Sequence, residues 1–202
     1  MNWKQINRAA RIQNVGVYSD WKQQISDDCF HQCVYCSIGE QPWGGIDHYH
    51  IEHFKPKKKF ADLENIITNL YHACPICNRF KSDDWPDEPD DLSKICYPDP
   101  SDIDYNELFE VCETSYNLQG KNVASNYLIN RLYLNRPQLI FERREAKLIE
   151  KANELLVALY DLVNDCDDAE LLKEYGLLST VMQLHANKRK DIVPYRLSDM
   201  RK

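Results

Sequence analysis

Nowhere in its 202 residues does the chain contain a run of eighteen apolar residues, which excludes a transmembrane helix. Its opening residues, MNWKQINRAARIQ, lack the apolar stretch of a secretory signal. No segment repeats and none is of low complexity, which argues against solenoids and arrays. Basic residues are scarce in one place. Residues 83–113 hold twelve Asp and Glu against a single Lys, a local charge of −11, whereas the whole chain stands at −7 and the remainder therefore at +4. The acidity is one block, not a property of the whole surface.

What is present fits a globular protein. An apolar fraction of 43% is ordinary, and the length suits one fair-sized domain or a small domain with a helical extension. Eight cysteines without a secretory signal imply reduced thiols and metal binding, hence a cytoplasmic setting. Two Cys-x-x-C pairs, Cys33/Cys36 and Cys74/Cys77, have the spacing at which each pair places two thiolates on one tetrahedral ion. They predict a closed four-sulfur zinc site, structural because no ligand position stays open. Cys29, Cys96, Cys112 and Cys166 lack paired spacing and are expected as small buried residues.

The pattern divides the chain into four stretches. Residues 1–28 show helical spacing of Trp3, Ile6, Ala10, Val17, Trp21 and Ile25, broken at Gly16, and predict an N-terminal helical lead. Residues 29–86 hold both cysteine pairs, a Pro42-Trp43-Gly44-Gly45 turn, an alternating run IDHYHIEHF that reads as a strand, and a helix from Cys77 that stops before Pro86. Residues 87–120 form an acidic loop, with a strand near Leu108–Cys112. Residues 121–202 are helical, with Asp168 as an N-cap of the last helix and a basic tail, KRKDIVPYRLSDMRK.

Between the cysteine pairs the chain reads Glu52-His53-Phe54-Lys55-Pro56, then Asn69-Leu70, then Cys74-Pro75-Ile76-Cys77-Asn78-Arg79-Phe80-Lys81. This order and spacing resemble the HNH, or ββα-metal, endonucleases. The resemblance covers about fifty residues. It implies an α+β, mainly helical fold with a small ββα core, and a nuclease that hydrolyses phosphodiester bonds of DNA, with RNA also possible. His53 would be the general base, Glu52 and Asn78 the ligands of a catalytic Mg²⁺ or Mn²⁺, and Asn69 the residue that orients His53. These roles suit the chemistry: hard oxygen donors match Mg²⁺, and a neutral imidazole can take a proton from water. Lys55, Lys57, Lys81 and Arg79 are candidate nucleic-acid contacts, with Lys58 and Lys59 beside them. Where many members of the family have His or Asp, and a terminal His, this chain has Glu52 and Asn78. His48 and His50 flank the site, while His31 and His72 sit beside the zinc cysteines.

A second resemblance lies in ASNYLINRLYLNRPQLIFERR. Ile129, Leu132, Leu134, Asn135, Arg136, Pro137, Leu139 and Arg143 or Arg144 are similar to the stretch that follows the HNH core in PtuB-type nucleases of Septu-like phage defence. That likeness implies an ATPase partner of the PtuA type. The acidic block agrees with it, since acid beside the site should weaken binding of DNA by the isolated chain. Two alternatives stand beside this reading: a zinc-ribbon module that binds without cutting, and an HNH nuclease of a restriction or mobile-element setting.

Overall fold

The computed structural model describes residues 3–86, 88, 91–163 and 168–187, and the basic tail and Cys166 lie outside them. The expected small α+β fold is observed, about half helical with two small sheets. Its centre is a ββα unit. Strand β1 (His50–His53) pairs antiparallel with β2 (Leu70–Ala73) in the register His50↔Ala73 through His53↔Leu70. Helix α2 (Pro75–Lys81) follows β2 at once. The turn is abrupt because Cys74 is extended and its Sγ accepts the Cys77 N–H, while Pro75, with φ preset for a helix, opens the first turn.

The run IDHYHIEHF is shorter as a strand than its alternation suggests. Ile46–His48 instead form a 3₁₀ turn, and pairing begins only at His50. The cause is the preceding bend: Gly44 has φ +93° and no room for a side chain, since a Cβ would meet the His48 ring at 2.5 Å. The Tyr49 hydroxyl then anchors the chain by donating to the Ile38 and Gly39 carbonyls.

The N-terminal lead contributes one α-helix, α1 (Lys22–Asp28), and short 3₁₀ turns at Arg8–Ala10 and Tyr18–Trp21. Trp3, Ile6, Trp21 and Ile25 enter the main core, whereas Val17 is exposed. The acidic block is less loop-like than its Pro and Asp content suggests. It holds one helical turn, α3 (Tyr105–Leu108), and strand β3 (Phe109–Val111), paired antiparallel with β4 (Leu118–Gly120). Tyr97 and Asp99 are buried within it; Asp99 accepts from the Tyr71 hydroxyl at 2.8 Å and pairs with Arg8. Acid in this block is therefore partly spent on internal bonds.

Helix α4 (Val123–Arg131) starts with a reciprocal cap between Asn122 and Ser125 and buries Ala124, Leu128 and Ile129 in the core. Pro137 opens α5 (Pro137–Val163), and α6 is Ala169–Asn187, capped by the Asp168 carboxylate on the Glu170 and Leu171 amides. The chain divides into two compact units within α5, between Ile140 and Phe141. In the second unit the Tyr175 hydroxyl bonds the Leu156 carbonyl, and Leu155, Leu177 and Leu184 are exposed. Among the described residues no helix is long and apolar enough to cross a membrane.

Leu128 is fully buried in the core of the first unit. Leu128→Ala should destabilise that unit by about 2–5 kcal/mol, through lost burial and the cavity left behind. Denaturant titration of both proteins, compared at equal m-value, checks this.

Candidate active site and metal centre

The two cysteine pairs converge. The Cys33 amide donates to Ile38 and its carbonyl accepts from Ser37, a tight turn that directs Cys33 and Cys36 inward. Cys74 and Cys77 enter from the start of α2. All four sulfurs are buried and lie within 4.8 Å of one another. The Cys36–Cys74 separation of 3.8 Å is that of a tetrahedron edge for Zn–S bonds of about 2.3 Å. Burial pushes the Cys33 thiol well up, so ionised sulfur here needs a cation to hold it. The donor set fits a structural zinc ion.

A residue without metal-ligand spacing completes this centre. The Arg136 guanidinium sits 3.6–3.8 Å from the sulfurs of Cys36, Cys74 and Cys77. Four thiolates around Zn²⁺ carry a net charge of −2, and the guanidinium offsets one unit of it. Arg136 also donates to the Leu132 carbonyl, so the α4–α5 turn is fastened to the zinc centre. Cys29 is not in the cluster; its sulfur accepts the His72 amide, and burial raises its thiol pKa to about 11. His72 is buried, with Nε2 2.5 Å from a Glu40 oxygen and its ring stacked on Tyr49, and His31 lies beside the same carboxylate.

Beside the zinc centre an open cleft of about 380 Å³ is lined by Tyr18, Glu52, His53, Pro56, Lys57, Asn78, Arg79 and Asp83, among others. It therefore gathers Glu52, His53, Lys57, Asn78 and Arg79 on one surface. His53 ends β1 half-buried, with Nε2 3.0 Å from the Glu64 carbonyl oxygen. A carbonyl only accepts, so Nε2 carries the proton and Nδ1 is left with its lone pair. Burial lowers the His53 pKa, which favours the neutral ring. The Asn69 side chain accepts the Lys55 amide and donates to the carbonyls of Lys55 and Leu63, clamping the chain that leaves His53.

Glu52 lies on the cleft wall but is only 3% exposed. Its Oε1 is 2.6 Å from the Lys81 ammonium and accepts from the Tyr35 hydroxyl. Burial raises the carboxyl pKa, and the Lys81 charge opposes that rise. Lys81 has no exposed surface: its ammonium also donates to the His53 carbonyl and lies over the Tyr97 ring. It is placed to hold Glu52 and the end of β1, not to meet a phosphate from solvent. Asn78 donates from Nδ2 to His50 Nδ1 at 2.9 Å, which leaves its amide oxygen for another partner. His48 lines a separate, mainly apolar cleft with Trp43 and Ile76. With a carboxylate and an amide oxygen on one open cleft, the donors fit a hard divalent ion that keeps several waters.

Three lysines that follow His53 are paired with acids. Lys57 reaches Glu64 at 2.9 Å and the Tyr18 hydroxyl at 3.1 Å, Lys55 meets Glu88 at 2.7 Å, and Lys58 meets Asp83 at 3.2 Å. These pairs are solvent-exposed, and such pairs contribute about 0–1 kcal/mol, so a phosphate can displace the carboxylates.

Purified protein should contain about one zinc per chain by elemental analysis, and Cys36→Ser should lose it. Arg136→Gln should bind zinc yet release it faster to a chromogenic chelator than the wild type. Equal release rates would remove the guanidinium from any part in metal retention.

The HNH endonuclease family model matches residues 33–84, about a quarter of the chain, from the first zinc cysteine to just past α2. No curated protein and no solved structure matches. The matched segment is the one that holds β1, β2, α2, both cysteine pairs and most of the cleft, and it supports the HNH family and with it a metal-dependent nuclease.

Proposed function

We propose that the chain is an HNH endonuclease that hydrolyses phosphodiester bonds of DNA in the cleft beside the zinc centre. The observation that carries this reading is His53. It stands at the end of a strand in an open cleft, with Nε2 held by a carbonyl and Nδ1 free to accept a proton. In this reading Nδ1 takes a proton from the water that attacks phosphorus. The Glu64 carbonyl holds the ring as its charge develops, and Asn69 fixes the loop that carries it. Glu52 and the Asn78 amide oxygen would hold Mg²⁺ or Mn²⁺. The bound ion supplies neutralisation of the scissile phosphate and stabilisation of the leaving oxygen. Lys57 and Arg79, on the cleft wall, and Lys55, beside it, are the contacts for flanking phosphates. Lys81 serves from beneath, through Glu52.

The paired state of Lys55 and Lys58 supports a nuclease restrained on its own. The Asn135-Arg136-Pro137 stretch supports the PtuB-like assignment, which brings with it a role in phage defence and an ATPase partner of the PtuA type. RNA remains a second substrate class.

Wild-type protein should nick and linearise plasmid DNA with Mn²⁺ or Mg²⁺, alone or after addition of the ATPase partner, and His53→Ala with equal zinc content should not. Cutting by both proteins would reject His53 as base. Silence of both, with zinc bound and the partner present, would move the chain to the non-catalytic zinc modules. The pH profile is a separate check. Burial depresses the His53 pKa, so its base form persists below the ordinary imidazole value of about 6.5. The cleavage rate should therefore be level at pH 7 and fall only as pH drops through that depressed value. An acid limb with its midpoint above 6.5, measured at fixed metal concentration on a defined duplex, would contradict the burial argument.

A further inference from the structure

Four residues close a ring of contacts around the imidazole. His53 Nε2 bonds the Glu64 carbonyl at 3.0 Å, and the Glu64 carboxylate takes the Lys57 ammonium at 2.9 Å. Lys57 donates to the Tyr18 hydroxyl at 3.1 Å, and the Tyr18 ring packs edge-to-face on His53 with centroids 4.7 Å apart at 77°. Three of the four, His53, Lys57 and Glu64, belong to residues 33–84. Tyr18 comes from the N-terminal lead, outside residues 33–84. Its backbone is itself tied in, because the Tyr18 amide donates to Asn65 Oδ1 at 2.8 Å, and Gln13 bonds Asn65 and Ile67.

We propose that Tyr18 is a positioning residue for the base, and that the N-terminal lead thereby completes a site that the HNH segment leaves open on one side. The inference rests on the nuclease reading for its kinetic arm only. The physical case is that of a ring fastened at one point. A single bond from Nε2 to the Glu64 carbonyl leaves the imidazole free to tilt about that bond. The Tyr18 ring restricts that tilt, and the Lys57 ammonium, 4.8 Å from the ring centroid, holds the Tyr18 ring in turn through a contact that phenylalanine would keep. An edge-to-face aromatic contact has a preferred geometry, so it selects an orientation and does more than fill space. The effect is on the placing of Nδ1, where a displacement of about 1 Å costs on the order of 100-fold in rate.

The test compares Tyr18→Ala, Tyr18→Leu and Tyr18→Phe in the full chain, each with zinc content and melting temperature measured. Tyr18→Ala and Tyr18→Leu should lower kcat on a defined duplex by about 10–100-fold with KM within about threefold, and Tyr18→Phe, which keeps the ring, should recover most of the loss. A second readout needs no activity. In ¹⁵N-labelled protein at pH 7.5, long-range proton–nitrogen spectra should show His53 as a single Nε2–H tautomer in the wild type and in Tyr18→Phe. Tyr18→Ala and Tyr18→Leu should show exchange-broadened or mixed His53 signals. Wild-type kcat and an unmixed tautomer in Tyr18→Ala would overturn the proposal, as would a raised KM with unchanged kcat, which would make Tyr18 a substrate contact. Equal loss in Tyr18→Phe would assign the effect to the hydroxyl and also overturn it. If the wild type cuts nothing, the nuclease reading fails by itself and the spectra alone decide the role of Tyr18. Should Tyr18→Ala not fold, Tyr18→Leu, which keeps the apolar volume, carries the comparison.

Discussion

Convergence of four thiols on one point is the constraint from which the first unit is organised. With two sheets of two short strands each and several one-turn helices, the first unit has little regular hydrogen bonding to hold it, and a two-stranded sheet is marginal in water. Cys33 and Cys36 bring the segment after α1 against the start of α2, about forty residues on. The Val34 amide then bonds the His72 carbonyl, so the knuckle is stitched to the strand beside it. Arg136 extends the same centre to the α4–α5 turn. One cluster, its charge partly offset by the guanidinium, thereby joins three parts of the chain that also share one hydrophobic core.

This arrangement separates structure from chemistry. Thiolates are soft ligands and fill all four positions of a tetrahedral ion, whereas the cleft offers oxygen donors that suit a harder ion. The two sites share elements: α2 begins with Cys74 and Cys77 and continues with Asn78, Arg79 and Lys81. A helix whose first turn belongs to the four-cysteine cluster places Asn78 against His50 of β1 and Lys81 beside Glu52. An ion held by these four sulfurs would do no chemistry itself but would fix the geometry of the residues proposed to do it.

The convergence of the four cysteines was legible in the sequence, because Cys-x-x-C spacing is a local signal. So were the Asn122 and Asp168 helix starts, whereas the helix read from Cys77 begins two residues earlier, at Pro75. What was not legible depends on contacts distant in sequence. Lys81 sits in a motif position that reads as a phosphate contact, yet a buried carboxylate opposite it draws the ammonium inward. Asp99 and Tyr97 read as part of an acidic loop, but Asp99 is held by Arg8 and Tyr71, and Tyr97 is buried against Tyr35, Trp85 and Tyr127. Tyr18 gave no signal at all, since one tyrosine in a polar stretch looks like any surface residue. Nor does the alternation of IDHYHIEHF reveal that Gly44 and Gly45 bend the chain before the strand begins.

Lys81 shows how the buried and exposed parts of the cleft differ in what they can do. A fully buried ion pair at 2.6 Å is costly to assemble, because both charges leave water, and costlier to break, because one charge would remain unpaired. Lys81 therefore stays with Glu52 whether or not a substrate is present, and Glu52 is held with one oxygen committed. Lys55, Lys57 and Lys58 are the reverse case. Their acid partners are exposed, the bonds are weak in water, and exchange of a carboxylate for a phosphate changes little in local charge. The same side-chain chemistry is rigid at the floor of the cleft and exchangeable at its rim, and only the rim can respond to a polyanion. Control of the site by a partner, in the reading proposed above, has to act there, on the lysines that Asp83 and Glu88 hold, and not on the buried pair beneath.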